Sequence, residues 1–90
     1  NGKPAPDIFL HAANVFNYSP ENCLVIEDSN FGIQAANEAA MDSIAFFGGQ
    51  HAQQDWYKDR VLEQKPTITC DTMTEVVNKL QCWLENSYAL

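Results

Sequence analysis

Basic residues and long apolar runs are both scarce in this chain of 90 residues. Only five Lys and Arg residues stand against twelve Asp and Glu residues, which gives a net charge of −7. Binding to nucleic acid or to an anionic membrane surface depends on clustered Lys and Arg, so the charge argues against both partners. No apolar run approaches the roughly 20 residues that a membrane-spanning helix requires. The sequence therefore predicts a protein that binds neither nucleic acid nor a membrane.

Paired cysteines are also missing. Cys23, Cys70 and Cys82 are an odd number, and no two of them form a C-x-x-C motif. This pattern favours neither a disulfide framework nor a zinc site. Cys23 opens an apolar run, where a thiol behaves as a small hydrophobic side chain. We therefore expect free thiols and a protein of the reducing cytoplasm.

The spacing of apolar residues predicts helices that alternate with short strands. Three apolar or β-branched runs predict buried parallel strands over residues 23–26, 43–47 and 67–70. Four helices alternate with them: one that begins at Pro6, one capped by Ser29, one over residues 53–63 and one that begins with a capping box at Thr72 and Glu75. This alternation implies right-handed crossovers and the α/β class, with a short parallel sheet between layers of helices.

Apolar residues at helical spacing predict which helix faces are buried. The expected inner stripes are Phe9, Ala12, Ala13 and Phe16 in the first helix, Ile33, Ala36 and Ala40 in the second, and Val76, Val77, Leu80, Trp83 and Leu84 in the last. Trp56, Tyr57 and Trp83 are expected to anchor the core or an interface, and His11 and His51 are expected at the surface. These residues are therefore assigned to packing or to the surface rather than to chemistry.

Charged residues that could bind a phosphorylated ligand flank the first helix and the first strand. Lys3 precedes the helix. Glu27 and Asp28 directly follow the predicted strand, and Asp28 lies 25 residues beyond Lys3. Ligand sites of open α/β sheets lie at the carboxyl ends of the strands. One cation and two adjacent carboxylates at such an edge suit a Mg²⁺ ion and a phosphate group. Two simpler interpretations stay open: Lys3 as a surface lysine, and the two acids as a charge pair at a helix N-terminus.

Two motifs carry a resemblance to a known family. KPAPDIF at residues 3–9 and VIEDS at residues 25–29, followed by small residues in the second helix, resemble the haloacid dehalogenase (HAD) superfamily, and most of all the phosphatases and phosphomutases of its β-phosphoglucomutase-like group. The resemblance covers the first half of the chain residue by residue and the remainder in element order. It implies that residues 1–90 are the C-terminal half of a three-layer, Rossmann-like HAD core domain. The implied activity is Mg²⁺-dependent transfer of a phosphoryl group from a small phosphorylated metabolite through an aspartyl-phosphate.

The resemblance also implies roles for individual residues. Lys3 matches the family's lysine, which pairs with the aspartate nucleophile and the transferring phosphoryl oxygens, where a positive charge lowers anionic repulsion. Asp28 matches a direct Mg²⁺ ligand, and Glu27 matches a ligand that binds directly or through water. Ser29 and Asn30 occupy positions next to the phosphate or behind the metal ligands. The simpler role of Ser29, as the N-cap of the second helix, is physically complete in itself.

The chain departs from the family pattern in three respects. It contains no Asp-x-Asp pair, so the nucleophile and the general acid of the family are absent. The family's hydroxyl motif and its substrate-selecting cap are absent as well. Ala40 stands where the family often has glycine, at a turn that favours a positive φ. We therefore expect a piece of a longer protein, with no activity when this chain is alone.

The resemblance has a consequence for assembly, because the strand over residues 23–26 pairs in the family with a strand that this chain lacks. An unprotected edge in the middle of a sheet favours pairing with the missing N-terminal half or with a second copy in a homodimer. A rival interpretation is a non-catalytic structural or interaction module that persists as a dimer of half-folds. A phosphoacceptor receiver domain fits poorly, because its lysine follows its acidic pair in the chain.

Overall fold

The computed structural model describes residues 6–48 and 55–85. In these ranges helices and strands alternate, with a short 3₁₀ turn at Pro20–Asn22. The elements are α1 (Asp7–Val15), β1 (Leu24–Glu27), α2 (Asn30–Glu38), β2 (Asp42–Phe46), α3 (Asp55–Glu63), β3 (Ile68–Cys70) and α4 (Met73–Glu85). The strands form a parallel sheet in the order β1-β2-β3. The predicted α/β class and element order are confirmed.

The strands differ from their predicted bounds by one residue at several ends. β1 runs one residue further than predicted, because Glu27 pairs with Ala45 of β2 in the parallel ladder. The sequence placed Glu27 after the strand, and that placement is wrong. The ladder is formed by backbone N–H and C=O groups, so a polar side chain does not by itself end the pairing. The predicted start of the third helix at residue 53 lies outside the described residues.

The sheet is covered on both faces, which gives the three predicted layers. On one face, Ala45 of β2 packs with Ile33 of α2 and Val61 of α3. On the other face, Ile44 packs with Val76 of α4. Residues 43–45 of β2 are fully buried. The middle strand is thus the centre of the core, as expected for a parallel strand with helices on both sides.

Polar side chains fix the start of β2 to its neighbours. The backbone N–H of Ser43 donates to Thr67 Oγ1 at 2.9 Å, and the N–H of Thr67 donates to Ser43 Oγ at 3.2 Å. Trp83 of α4 donates its Nε1–H to Asp42 Oδ2 at 3.2 Å. These bonds satisfy the buried Ser43 hydroxyl and give Trp83 the anchoring role that the sequence predicted.

The cysteines are free thiols, as expected. Cys70 is buried among Ile44 and Val76, whereas Cys82 is exposed. Burial raises the pKa of the Cys70 thiol, and the nearby carboxylate of Glu75 raises it further. Cys70 therefore stays protonated and acts as a small apolar core residue.

Some of the predicted inner stripes are exposed. Phe16 follows α1 and is 72% exposed, and Val77 and Leu84 of α4 are 55% and 71% exposed. Trp56 is 60% exposed, so it does not anchor the core, and the alternative of an interface anchor stays a prediction. Helical periodicity selects the residues that share a face, but a face is buried only where another element covers it.

α2 ends in a Schellman motif, with Ala40 in the left-handed region at φ 60°. The N–H of Met41 donates to the carbonyl of Ala36 at 3.0 Å, and the N–H of Ala40 donates to the carbonyl of Asn37 at 3.0 Å. Ala40 is therefore exposed and outside the helix, and its predicted place in the inner stripe is wrong. The positive φ that the family's turn favours is present at this alanine, where a Cβ makes the conformation costly.

Replacing this alanine by glycine should stabilise the protein. Ala40→Gly removes the Cβ clash, and we expect the free energy of unfolding in urea to rise by about 1 kcal/mol. Ala12→Gly is the matched control, because Ala12 is an exposed residue inside α1. That change should lower the free energy of unfolding by about 1 kcal/mol. Equal destabilisation by both changes would contradict a strained turn at residue 40.

Candidate functional site

The acidic loop, which we define as Glu27, Asp28 and Ser29, lies at the carboxyl end of β1. Glu27 is the last residue of the strand, and Ser29 caps α2. All three residues are half-buried. The predicted carboxylate pair is thus brought together at the edge of the sheet where α/β proteins bind ligands.

Hydrogen bonds within the acidic loop fix the side chain of Glu27. Its Oε1 accepts from the backbone N–H of Asp28 and from the hydroxyl of Ser29, both at 3.2 Å. Ser29 Oγ in turn accepts from the N–H of Gly32 at 3.0 Å. The predicted N-cap is confirmed, and the same hydroxyl also holds the Glu27 carboxylate. A carboxylate at the N-terminus of α2 is further stabilised by the helix dipole.

Gly32 leaves the space that Glu27 occupies. A Cβ at residue 32 would lie 2.0 Å from Cγ of Glu27, a distance that no side chain could tolerate. Glu27, the last residue of β1, is the group that approaches this glycine of α2. Glu27 and Gly32 therefore act as a pair that sets the shape of the acidic loop.

The donor set of the acidic loop fits Mg²⁺. Mg²⁺ typically takes one or two protein carboxylates and keeps several water molecules, and Glu27 and Asp28 supply that number. Within residues 6–48 and 55–85, no cluster of three or more His, Cys, Asp or Glu side chains could hold a metal ion. Asn30 is the half-buried first residue of α2, next to the loop. Lys3 lies outside the described residues, so its predicted role stays a prediction.

Tyr57 of α3 also belongs to the surroundings of the acidic loop. Its ring packs against the cluster that contains Ile33 and Ala45. Burial raises the pKa of its phenol, and the negative charges of Asp28 and Glu27 raise it further. The sequence predicted a packing anchor, which is confirmed, but it missed the proximity to the acids. The order of the elements could have indicated this proximity, because α3 follows β2, and β2 is the strand next to β1.

A lysine lies at the same edge of the sheet but faces other groups. Nζ of Lys58 is 5.3 Å from the centre of the Phe47 ring and 3.9 Å from Oδ1 of Asp71. The lysine side chain is 32% exposed and the aspartate 67%, so the ion pair is weak. The carboxyl edge of the sheet therefore carries separate charged groups at the ends of β1 and β3.

An apolar groove runs between α1 and β1 on the outer side of the sheet. This α1–β1 groove has a volume of about 380 Å³, and its walls include Phe9, Phe16, Tyr18, Val25 and Ile26. In the described part of the chain, β1 pairs with β2 on one side only. The exposed edge that the sequence predicted is therefore present, bordered by apolar side chains.

None of the helices in the described ranges has the length and apolar character needed to cross a membrane.

Comparison with known proteins gives a family match over most of the chain. Residues 1–76 match the family model described as HAD-hydrolase-like. The chain is 40% identical over 81 residues to the phosphorylated carbohydrates phosphatase of Thermotoga maritima, which covers 90% of this chain and 35% of that protein. It is 38% identical over 74 residues to the β-phosphoglucomutase of Bacillus subtilis, which covers 82% of this chain and 31% of that protein.

A solved structure gives the same result for the fold. The crystal structure of a conserved haloacid dehalogenase-like protein of unknown function from Agrobacterium tumefaciens matches with a TM-score of 0.81 at 33% identity. The match covers 91% of this chain and 36% of that protein. The chain spans about a third of the length of each of these three proteins.

Proposed function

Because the chain belongs to the HAD-like hydrolase family, we propose that it is the C-terminal part of the core domain of a Mg²⁺-dependent phosphatase or phosphomutase. The observation that carries the proposal is the acidic loop at the end of β1, whose two carboxylates are organised by Ser29 and Gly32. The names of the Thermotoga maritima and Bacillus subtilis relatives support a phosphorylated sugar, a small phosphorylated metabolite, as the substrate class.

The acidic loop would hold the metal ion. Asp28 is proposed as the direct Mg²⁺ ligand. Glu27 would bind directly or through water, and its two hydrogen bonds through Oε1 support the water-mediated role. The metal ion would neutralise negative charge on the transferring phosphoryl group. Ser29 and Asn30, at the N-terminus of α2, would lie beside the phosphate, where helix N–H groups favour an anion.

The remaining catalytic groups would act around this loop. Lys3 would place a positive charge next to the nucleophile and the phosphoryl oxygens. The nucleophile would be an aspartate that becomes phosphorylated and is then released by water or by a second substrate. The sequence contains no Asp-x-Asp pair that could supply this aspartate. Residues 1–90 are therefore proposed as the half of the core domain that binds the metal.

The open side of β1 supports a proposal about assembly, and the cysteines support a proposal about location. The α1–β1 groove would be covered by the missing N-terminal half of the core domain or by a second copy of the chain. The same open edge favours a second candidate function, a non-catalytic module that persists as a dimer of half-folds. The free thiols of Cys23, Cys70 and Cys82 support a place in the reducing cytoplasm.

Mg²⁺ binding tests the proposed site. The chain should bind Mg²⁺ with a dissociation constant on the order of 1 mM, because two carboxylates leave most of the octahedron to water. Asp28→Asn should weaken binding at least about tenfold, since it removes the charged direct ligand. Asp59→Asn is the matched control, because Asp59 is an exposed carboxylate on α3.

Isothermal titration with MgCl₂ and NMR of the amides of residues 27–30 are the measurements. Micromolar affinity, or equal affinity in the wild type and in Asp28→Asn, would show that the site is misplaced. Metal binding that depends on Asp28 would also argue against the non-catalytic module, which needs no metal.

A further inference from the structure

The carboxylate of Glu27 is turned back onto the N-terminal turn of α2. Its Oε1 accepts from the N–H of Asp28 and from the hydroxyl of Ser29, both at 3.2 Å. Its Oε2 faces Gly32, because a Cβ at that glycine would lie 2.6 Å from this oxygen. Ser29 Oγ is fixed in turn by the N–H of Gly32 at 3.0 Å. Two separate features therefore hold the carboxylate, a hydroxyl donor and the absence of a side chain at residue 32.

This arrangement affects how Glu27 can serve a metal ion. A carboxylate that accepts hydrogen bonds from its own loop must give them up to coordinate an ion with the same oxygen. It can accept a further hydrogen bond from a metal-bound water without moving, because each carboxylate oxygen has two lone pairs. In the proposed site, Glu27 would therefore stay behind a water molecule, and Asp28 would be the carboxylate that contacts the ion.

A site with one direct carboxylate distinguishes between divalent ions. Mg²⁺ keeps several of its water molecules and binds proteins through one or two carboxylates. Ca²⁺ takes about six to eight oxygen ligands in a flexible geometry and accepts carboxylates through one or both oxygens. A second carboxylate that is free to join the ion therefore helps Ca²⁺ more than Mg²⁺.

We propose that Ser29 and Gly32 are positioning residues that make the acidic loop selective for Mg²⁺ over Ca²⁺. They hold Glu27 against α2, so that it reaches the ion through water, and they keep it from joining Asp28 as a second direct ligand. The inference rests on the proposed function, since it takes Asp28 as the direct ligand of a metal ion. Groups that orient metal ligands typically contribute about 10- to 100-fold to metal affinity.

Titrations of the full chain with MgCl₂ and with CaCl₂ test this role without any assay of activity. The measured quantity is the ratio of the dissociation constant for Ca²⁺ to that for Mg²⁺, taken from the amide NMR signals of residues 27–30. Ser29→Ala removes the hydroxyl that donates to Glu27. We expect Mg²⁺ to bind more weakly and Ca²⁺ more tightly, so that the ratio falls about tenfold. Ser29→Thr keeps the hydroxyl and should keep the wild-type ratio.

A second helix cap controls for lost stability, because Ser29→Ala also removes the N-cap of α2. Thr72 caps α4 in the same way, since its Oγ1 accepts from the N–H of Glu75 at 3.2 Å. Thr72→Ala should lower the midpoint of urea unfolding, as Ser29→Ala does, and leave the ratio unchanged. An equal fall of the ratio in both variants would overturn the proposal, because the ratio would then follow stability alone.

Gly32→Ala displaces the same carboxylate by a different route. The new Cβ would lie 2.0 Å from Cγ of Glu27, so this side chain must leave α2 while the hydroxyl of Ser29 stays in place. The ratio should again fall about tenfold. Gly48→Ala is the matched control, because its Cβ would meet Cζ of Phe46 at 2.1 Å, and it should keep the wild-type ratio.

The outcomes separate this inference from the metal site itself. A wild-type ratio in both Ser29→Ala and Gly32→Ala, together with weaker Mg²⁺ binding in Asp28→Asn, would overturn the selectivity and leave the metal site intact. An equal loss of affinity for both ions in Ser29→Ala would also overturn it. Unchanged Mg²⁺ affinity in Asp28→Asn would overturn the metal site, and the selectivity with it.

Discussion

The chain alone should hydrolyse p-nitrophenyl phosphate in the presence of Mg²⁺ no faster than its Lys3→Ala variant. Covalent catalysis needs a nucleophile at the phosphorus atom, and the sequence lacks the Asp-x-Asp pair that supplies one in this family. Lys3 and Asp28 could stabilise charge, but charge stabilisation without a nucleophile leaves no aspartyl-phosphate to form. Turnover by the wild-type chain above the Lys3→Ala level would contradict the proposal that the nucleophile is not among residues 1–90.

Activity should appear once the aspartates are supplied. The test is a chimera in which residues 1–90 follow the matching N-terminal portion of the Thermotoga maritima relative, to which this chain is 40% identical. Released phosphate should be detected for the chimera and for its Asp59→Asn variant, and it should be lost in Asp28→Asn. A chimera whose activity survives Asp28→Asn would remove that residue from the metal site.

The isolated chain should sediment at micromolar concentration as a homodimer, with twice the mass of one chain. In the described residues, β1 has a partner strand on one side only, and its Ile26 is 45% exposed. Phe16, 72% exposed, adds to the same apolar surface in the α1–β1 groove. Open strand edges and apolar patches of this kind are seldom left uncovered in monomers. Two copies related by a two-fold axis would cover both.

Replacing an edge residue of β1 by lysine tests whether the dimer forms through this edge. Ile26→Lys should give a monomer, because a charged side chain on an edge strand blocks pairing. Leu62→Lys is the matched control and should leave the dimer intact, since the 47%-exposed Leu62 lies on α3, away from the groove. A compact wild-type monomer with amides of residues 24–26 protected from hydrogen exchange would refute the argument from the exposed edge.

Features determined by neighbouring residues could be predicted from the sequence. The N-cap at Ser29 and the positive φ at the turn after α2 each depend on a few consecutive residues, and the structure shows both. The order of strands and helices follows in the same way from apolar runs and turn residues. The carboxylate pair was placed at the correct edge of the sheet because each parallel strand ends there.

Features determined by tertiary packing could not be predicted in this way. Glu27 joins β1 because Ala45 is available as its ladder partner, and no local pattern contains that information. The acids raise the pKa of Tyr57, whose ring α3 packs on the cluster that contains Ala45, the ladder partner of Glu27. Val77 shares a helical period with buried residues but meets no covering element in the described chain. The prediction for Lys3 is untested by the described residues.

The β1–α2–β2 crossover, which contains the whole acidic loop, has a consequence for the order of folding. Ladder partners in this unit, such as Leu24 and Asp42, lie 18 residues apart in the chain. Closing so short a connection costs little chain entropy, and contacts of low sequence separation form early. The acidic loop can therefore form at an early stage of folding, before α4 docks on the opposite face of the sheet. The geometry of the loop is determined within the β1–α2–β2 unit, and α4 stabilises a loop that has already formed.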